Sequence, residues 1–435
     1  MNEINTKYKA LRDLIKHLSK SELASAEDVQ KQQFLQLHTI VSHAAKFSPY
    51  YNQRLKETGV NIKECYPQEY FKQLPIMTRR NIQSAGKSLY CKDVPKHHLP
   101  LTKIQTSGST GEPVKVIKTN VNNTIWLAHT YREHHWWQRE LMGRLAIIRA
   151  FVPEKENIDW SSPINILYKT GPSFTLPINT DINKQINWLQ RHKPDYLLTY
   201  PSNILEIIRS LQKQKSNLPF LKQVRLIGET LHSDTRELTH DFFNVDVADT
   251  YSSQEVGYIA IQCPDCHQYH VMSESLIVEV LNDVDEPCKT GETGRVIVTD
   301  LYNMATPLIR YELGDYAEVG SPCIKRPGLS SLKCILGRER NMLLLPNGQR
   351  FWPMLGYSQY REIADVKQYQ IIQKEKELIQ VRLVVGLALT SSQEKQLTKV
   401  VQTALSYPFK IEIKYFKEKL PLSKNGKFEE FVCDI

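Results

Sequence analysis

The sequence predicts an α/β protein of two unequal domains: a large one with mixed and parallel sheets flanked by helices, and a small α+β unit after Arg338. Three observations carry that reading. Helix and strand patterns alternate from Asp181 to Gly228, a Ser/Thr/Gly-rich turn joins two alternating apolar segments upstream of them, and Lys and Glu become denser after Gly337-Arg338. A chain of 435 residues has room for more than one domain at roughly 100–200 residues each.

From about Glu3 to Gly59 apolar residues recur at three- and four-residue spacing, as in Phe34, Leu37, Ile40, Val41 and Ala44, so this stretch is helical and ends near Ser48-Pro49-Tyr50-Tyr51. Leu74-Pro-Ile-Met-Thr78 marks a second boundary. Leu99 to Ile104 and Val114 to Ile117 alternate as strands and predict a hairpin. Residues 120 to 140 read as an amphipathic helix that buries Trp126, Trp136 and Trp137, and Arg144 to Val152 as a short strand.

Ile182–His192 then reads as helix, Tyr196–Thr199 as a buried strand, Ile204–Leu211 as helix and Val224–Ile227 as strand. Strands separated by helices pair in parallel through crossovers. Ligands of such sheets bind beyond the carboxyl ends of the strands, which places Tyr200-Pro-Ser202 and Gly228-Glu229-Thr230 at a site. Val245–Ala248 feeds Asp249-Thr-Tyr-Ser-Ser-Gln-Glu-Val256, and a β-rich region follows in Leu276–Val280, Gly294–Thr299 and Thr306–Tyr311. The domains are therefore drawn as 1–338 and 339–435.

Hydrophobic residues make up 41% and charged residues 24% of the chain, the balance of a globular protein and not of a disordered one. Met1 to Glu22 lacks the apolar stretch of a signal peptide, and no run reaches the roughly 18 residues of a membrane span; a cytoplasmic protein is expected. The formal charge of +9 is spread among acids and forms no basic–aromatic patch, which argues against nucleic acid as a partner.

Gln105-Thr-Ser-Gly-Ser-Thr-Gly-Glu-Pro113 joins the two hairpin strands. Gly108 and Gly111 permit positive φ and close backbone approach, while Thr106, Ser107, Ser109 and Thr110 add hydroxyls. A concave run of N–H and O–H donors suits a polyphosphate. No lysine closes the loop and no helix follows at once, so it is not the Gly-x4-Gly-Lys-Ser/Thr loop.

With that loop, Tyr251–Glu255, Ile309-Arg-Tyr-Glu-Leu-Gly-Asp315, Gly337-Arg338 and Pro421-Leu-Ser-Lys-Asn-Gly-Lys427 in this order, the chain resembles the adenylate-forming enzymes. More narrowly it is similar to the phenylacetate-CoA ligase branch, which includes deazaflavin-coenzyme adenylating synthetases and capsule-locus proteins. Ser48-Pro-Tyr-Tyr51 with Gly59, and Leu74-Pro-Ile-Met-Thr78, extend the likeness to the N-terminal region. The resemblance implies an ATP- and Mg2+-dependent ligase that joins an aryl or related carboxylic acid to AMP and then passes the acyl group to CoA. An amine or an acyl carrier protein is the alternative acceptor, and a non-catalytic scaffold of the same fold the second alternative; the state of assembly is open, with a homodimer compatible.

Roles carry over residue by residue. Thr106, Ser107, Gly108, Ser109, Thr110 and Gly111 would hold the β- and γ-phosphates, Gly228, Glu229, Thr230 and Tyr251 the adenine, Ser252, Ser253 and Gln254 the nucleotide beside them, and Asp315 the ribose. Glu255 matches the magnesium ligand, Arg338 the arginine at the hinge, and Lys427 the lysine that reaches the α-phosphate during adenylation. Phe151, Tyr200 and Tyr251 are expected to line the acid pocket. Ser252 stands where Gly is common, Gln254 where Thr is common, and Arg340-Asn341 where aspartates are usual. Glu112 places an acid at the exit of the loop.

Of the eight cysteines, Cys263 and Cys266 form a Cys-x2-Cys pair followed by His267 and His270, with Cys323 further on. Thiolates and imidazoles at this spacing suit a closed tetrahedral zinc site. The fourth ligand is open among His267, His270 and Cys334, because Lys325 falls where the branch has a second cysteine of a later pair. Such a Zn2+ would be structural.

Overall fold

The computed structural model describes residues 8–60, 67–105, 114–162, 164–338, 341–351, 353, 363–417, 419–421 and 428–435. The chain opens on helices α1 (Lys9–Ser21), α2 (Ala26–Phe47) and α3 (Pro49–Thr58). Ser48 ends α2 and starts α3: its extended backbone breaks the helix, its hydroxyl accepts from Tyr51 N–H, and Pro49 occupies the first turn, where a missing N–H costs nothing. Tyr51 Oη then donates to Pro307 O at 3.2 Å and accepts from Ile309 N at 3.1 Å. The Ser-Pro-Tyr-Tyr motif is thus a pin between the N-terminal helices and the segment leading to Asp315.

Short helices α4 (Pro67–Phe71) and α5 (Arg79–Ala85) follow, the latter closed by a capping box between Thr78 and Asn81. The hairpin pairs β1 (Thr102–Gln105) with β2 (Lys115–Lys118), antiparallel, Gln105 opposite Lys115. Helix α6 (Asn120–Trp136) buries a polar face as well as apolar groups. Arg132 pairs with Glu274 at 2.6 Å, and Glu133 meets Arg139 at 3.0 Å and also Arg225. Trp136 and Trp137 are buried, but Trp126 is 40% exposed, so the expectation of three core tryptophans holds for two.

One sheet of 12 strands forms the body of the large domain. In chain order these are β3 (Leu145–Arg149), β4 (Lys155–Asn157), β5 (Ser173–Pro177), β6 (Tyr196–Thr199), β7 (Gln223–Ile227), β8 (Asp246–Ser253), β9 (Gly257–Gln262), β10 (Tyr269–Val271), β11 (Leu276–Leu281), β12 (Thr293–Asp300), β13 (Tyr311–Val319) and β14 (Ser331–Arg338). Their spatial order is β11-β12-β13-β14-β10-β9-β8-β7-β6-β3-β5-β4. β5, β3, β6, β7 and β8 are parallel; from β8 through β9 to β11 every pairing is antiparallel. Helices α7 (Ile182–His192), α8 (Pro201–Lys213) and α9 (Ser233–Phe243) cross over the parallel half, and Ile186, Leu189, Ile204, Ile208 and Leu211 pack with Leu197, Val224 and Leu226 into one core.

The strand expected at Thr306–Tyr311 begins only at Tyr311. Pro307 offers no N–H to a ladder, and Arg310 adopts left-handed backbone (φ 50°) while its guanidinium binds Glu279 and the carbonyls of Lys72 and Leu74. Tertiary pinning replaces strand pairing there.

After β14 come a two-stranded hairpin, β15 (Leu343–Leu344) and β16 (Arg350–Phe351), and a four-stranded sheet in the order β19-β18-β17-β20. Its strands are β17 (Val366–Glu375), β18 (Leu378–Val385), β19 (Lys410–Phe416) and β20 (Phe431–Cys433), with α10 (Ser391–Ala404) against them. Its apolar core is drawn wholly from residues 343–433. That independence supports a separate small domain. No helix among the described residues is long and apolar enough to cross a membrane.

Candidate functional site

The sheet brings the ends of β7, β8 and β14 and the middle of β13 to one place. β7 runs out at Gly228, whose φ of 79° turns the chain away from the sheet; β8 ends in Tyr251-Ser252-Ser253 and turns through Gln254 and Glu255 into β9. In the β13–β14 pairing Asp315 stands opposite Arg338. Tyr251 Oη donates to Asp315 Oδ2 at 2.8 Å, and Arg338 Nε lies 3.4 Å from Asp315 Oδ1. Burial and the neighbouring carboxylate push the Tyr251 phenol well above its ordinary range, so it stays a donor. Gly337 (φ 103°) closes the cluster: a Cβ there would come within 3.0 Å of Thr230 Oγ1.

Glu229 is a half-buried acceptor. Ser202 N donates to one oxygen at 2.9 Å, Ser202 Oγ to the other at 3.0 Å, and Phe428 N to that same oxygen at 2.9 Å. Burial raises its pKa while these donors oppose the rise. Phe428 belongs to the small domain and follows Lys427, so the two domains meet at the end of β7.

Glu255 is 8% exposed, with Arg79 Nη1 at 3.9 Å. Lys118, at the end of β2, is half-buried; burial lowers its pKa, and Asp300 and Glu255 act in the opposite direction. Arg79 and Lys118 are cations that the sequence reading did not place here. Arg79 directly follows the Leu-Pro-Ile-Met-Thr78 motif, and Lys118 closes the hairpin that carries the hydroxyl-rich loop; those positions were the available clues. Thr106, Ser107, Gly108, Ser109, Thr110, Gly111, Glu112, Arg340 and Lys427 lie outside the described residues, whereas the stalk of the loop, Gln105 and Val114, is described.

The three residues expected to line an acid pocket differ in exposure and partners. Tyr200 is 6% exposed and its Oη accepts from Ala150 N at 3.2 Å. Tyr251 is committed to Asp315. Phe151, just past β3, has left-handed backbone (φ 59°) and is 87% exposed, so a pocket role for it remains a proposal.

The cysteine cluster is assembled by distant segments. Cys263 follows β9, Cys266 sits in the next turn, His270 lies in β10 and Cys323 in the loop before β14; their ligand atoms all lie within 4.8 Å of one another. Three thiols and an imidazole at this separation fit a tetrahedral zinc ion. His267 is exposed and Cys334 contacts Glu318, so the structure selects His270 as the fourth candidate. Burial holds the Cys263 thiol up at about 12 and the His270 imidazole down at about 4. Arg326 donates to Cys263 Sγ and to Asp265, both at 2.8 Å, and its guanidinium lies 4.3 Å over the Trp136 ring. Lys325 pairs with Asp265, which accounts for a lysine at that position.

The chain shares its fold, a half-parallel sheet carrying a small C-terminal domain, with solved acyl-CoA ligases and an amide bond synthetase. The chain superposes on 2-hydroxyisobutyryl-CoA ligase in its postadenylation state with a TM-score of 0.74 at 16% identity, covering 96% of this chain and 92% of that one. Against the same ligase in its thioesterification state the TM-score is 0.61, at 16% identity and with the same coverage. The amide bond synthetase McbA from Marinactinospora thermotolerans matches at 0.52 and 15% identity, over 77% of this chain and 70% of that one. In sequence, residues 357–433 match the family described as the CapK C-terminal domain. Protein CapK of Staphylococcus aureus is 25% identical over 328 residues, 73% of this chain and 68% of that protein.

Proposed function

We propose that this chain is an ATP-dependent, AMP-forming carboxylic acid ligase that converts an acid to its acyl-adenylate and then transfers the acyl group, with CoA as first acceptor and an amine or a carrier-protein thiol as the alternatives. The observation that carries the reading is the convergence of Glu229, Tyr251, Glu255, Asp315 and Arg338 on one edge of the sheet, with the small domain docked there through Phe428.

The acid carboxylate is a weak nucleophile, so the enzyme's task is alignment and charge neutralisation at the α-phosphate. Asp315 fits the ribose: an ionised carboxylate offers about four acceptor positions, and Tyr251 and Arg338 occupy one on each oxygen, leaving one on each for the two ribose hydroxyls. Gly228 and Thr230 border the adenine position, and the hydroxyls of Thr106, Ser107, Ser109 and Thr110 hold the β- and γ-phosphates. Ser252, Ser253 and Gln254 pass along the edge of that position. Lys427, next to the docked Phe428, supplies the cation at the reacting oxygens.

Magnesium fits Glu255: the carboxylate is buried, its nearest cation is 3.9 Å away, and so it keeps lone pairs for a hard ion. Bound there, Mg2+ would neutralise phosphate charge. Zinc fits Cys263, Cys266, His270 and Cys323 as a structural ion that ties β9 and β10 to the loop before β14. The higher similarity to the postadenylation form than to the thioesterification form, 0.74 against 0.61, supports reading the present arrangement as the one belonging to the first half-reaction.

The test is pyrophosphate release with MgATP across aryl, indolyl and short aliphatic acids, each with and without CoA. Release with particular acids, raised by CoA, is expected; release indifferent to CoA would move the acceptor to an amine or carrier thiol. If no acid releases pyrophosphate, the ligase reading fails and a non-catalytic scaffold of the same fold takes its place; if Lys427→Ala leaves release intact, the role given to the small domain is wrong.

A further inference from the structure

Helix α8 has two faces with different tasks. Ile204, Ile207, Ile208 and Leu211 are buried in the core of the large domain. Ser202, Glu206, Arg209 and Lys213 recur at intervals of four, three and four residues, which places them on one stripe. Every member of that stripe leads to the small domain. Ser202 binds Glu229, which takes Phe428 N. Glu206 accepts from Lys419 Nζ at 2.7 Å and from Gln368 Nε2. Arg209 Nη1 donates to Lys367 O at 2.6 Å, and Lys213 Nζ lies 2.9 Å from both oxygens of Asp365.

We propose that the polar stripe of α8 is the surface on which the small domain docks for adenylation, and that Glu206 is its positioning residue; the proposal rests on the ligase reading above. Glu206 holds the segment leading to Lys427 from two sides. Directly it binds Lys419; indirectly it binds Gln368, whose Oε1 accepts Leu420 N at 2.8 Å. Its side chain is 16% exposed, whereas Lys213 and Asp365 at the far end are 54% and 62% exposed. Lys419 is 55% exposed, so the pair at Glu206 is firmer than the one at Lys213 because its carboxylate is shielded from water.

The small-domain core takes no apolar side chain from before residue 343 among the described residues. A docking face made of charges and amides releases without exposing a core. That is what a domain must do if it leaves its first position to admit an acceptor.

The experiment is energy transfer between dyes on non-natural residues at positions 56 and 399, both exposed and one on each domain, with the native cysteines left untouched. In the full chain one dominant docked distance is expected, its population falling as salt rises from about 50 to about 500 mM. Glu206→Lys, which sets two ammonium groups face to face, should cut the docked-to-undocked ratio about tenfold or more. Adding Lys419→Glu should restore it to within about threefold. If Glu206→Lys fails to fold by circular dichroism, Glu206→Gln and the double variant Arg209→Ala/Lys213→Ala report the same loss more mildly. A docked population indifferent to salt and to these changes, or a charge swap that does not restore it, overturns the proposal. With an acid that supports pyrophosphate release, the rate should fall and return with the docked population. If no acid does, the ligase reading fails while the energy transfer still decides the docking surface.

Discussion

Phe428 donates its backbone N–H to Glu229 Oε1 at 2.9 Å, so the residue after Lys427 is tied to the end of β7. The bond crosses the domain boundary, and a backbone donor fixes the chain more firmly than a side chain can. It ties the residue after Lys427, the proposed adenylation lysine, to a carboxylate already held by Ser202.

Glu229→Ala leaves three donors without their acceptor. The expected loss is about 1–3 kcal/mol at the contact, seen as a roughly 10- to 100-fold fall in pyrophosphate release. Glu229→Gln, which keeps one oxygen, should fall between the two. Equal activity in all three would show that this contact does not position the Lys427 loop.

Gly337→Ala should destabilise by about 1–3 kcal/mol, because φ is 103° and the new Cβ would lie 3.0 Å from Thr230 Oγ1. Thermal unfolding measures the cost. Thr230→Ser or Thr230→Ala should not remove it if backbone strain dominates the contact.

Asp315→Ala removes the acceptor shared by Tyr251 and Arg338 as well as the proposed ribose contact. Pyrophosphate release per unit ATP should fall about 100-fold or more, while Tyr251→Phe, which spares the carboxylate, should cost about tenfold. Steady-state kinetics in ATP separate these. An Asp315→Ala enzyme with unchanged KM for ATP would refute the nucleotide assignment.

Asp300 is buried, which raises its carboxyl from the ordinary 3.8 to about 6 despite donors from Tyr302 and Asn303. A raised folded-state value means a stability contribution that is full below about 4 and lost as pH rises through about 6; two pH units correspond to about 3 kcal/mol. Asp300→Asn cannot ionise. The difference in unfolding free energy between variant and parent should therefore move in the variant's favour between pH 4 and 6, and a flat difference across that window would contradict the burial argument.

Cys263→Ser should abolish stoichiometric zinc, read by metal analysis of the purified protein. Losing the tie between β9, β10 and the Cys323 loop should cost more than about 3 kcal/mol, on the order of 5–10 °C in the unfolding midpoint. His267→Ala and Cys334→Ser should keep the metal. Loss of zinc from either would return the choice of fourth ligand to the alternatives the sequence left open.

Local pattern and tertiary placement contributed differently to these conclusions. Periodicity placed the helix over Ile182–His192 and the strand over Tyr196–Thr199 to their ends, and Ile204–Leu211 as the middle of the helix that runs Pro201–Lys213, because burial of one face by near neighbours is written in near neighbours. The Cys263/Cys266 pair is equally local. Other features depended on partners far along the chain: Tyr51 holding Pro307 and Ile309, Arg310 turning a predicted strand into a pinned segment, and Phe151 facing solvent. His270 is preferred over His267 because β10 buries it among Cys263, Cys266 and Cys323, whereas the turn leaves His267 exposed. The stripe on α8 reads in sequence as an ordinary solvated face; only folding shows that Asp365, Gln368 and Lys419 lie opposite it. By itself the sequence determined which segments are helix or strand and which residue types could bind phosphate or metal, since those follow from short-range sterics and burial. Which of them meet was decided by the tertiary structure, because the free energy of a charge or a hydrogen bond depends on what is packed against it.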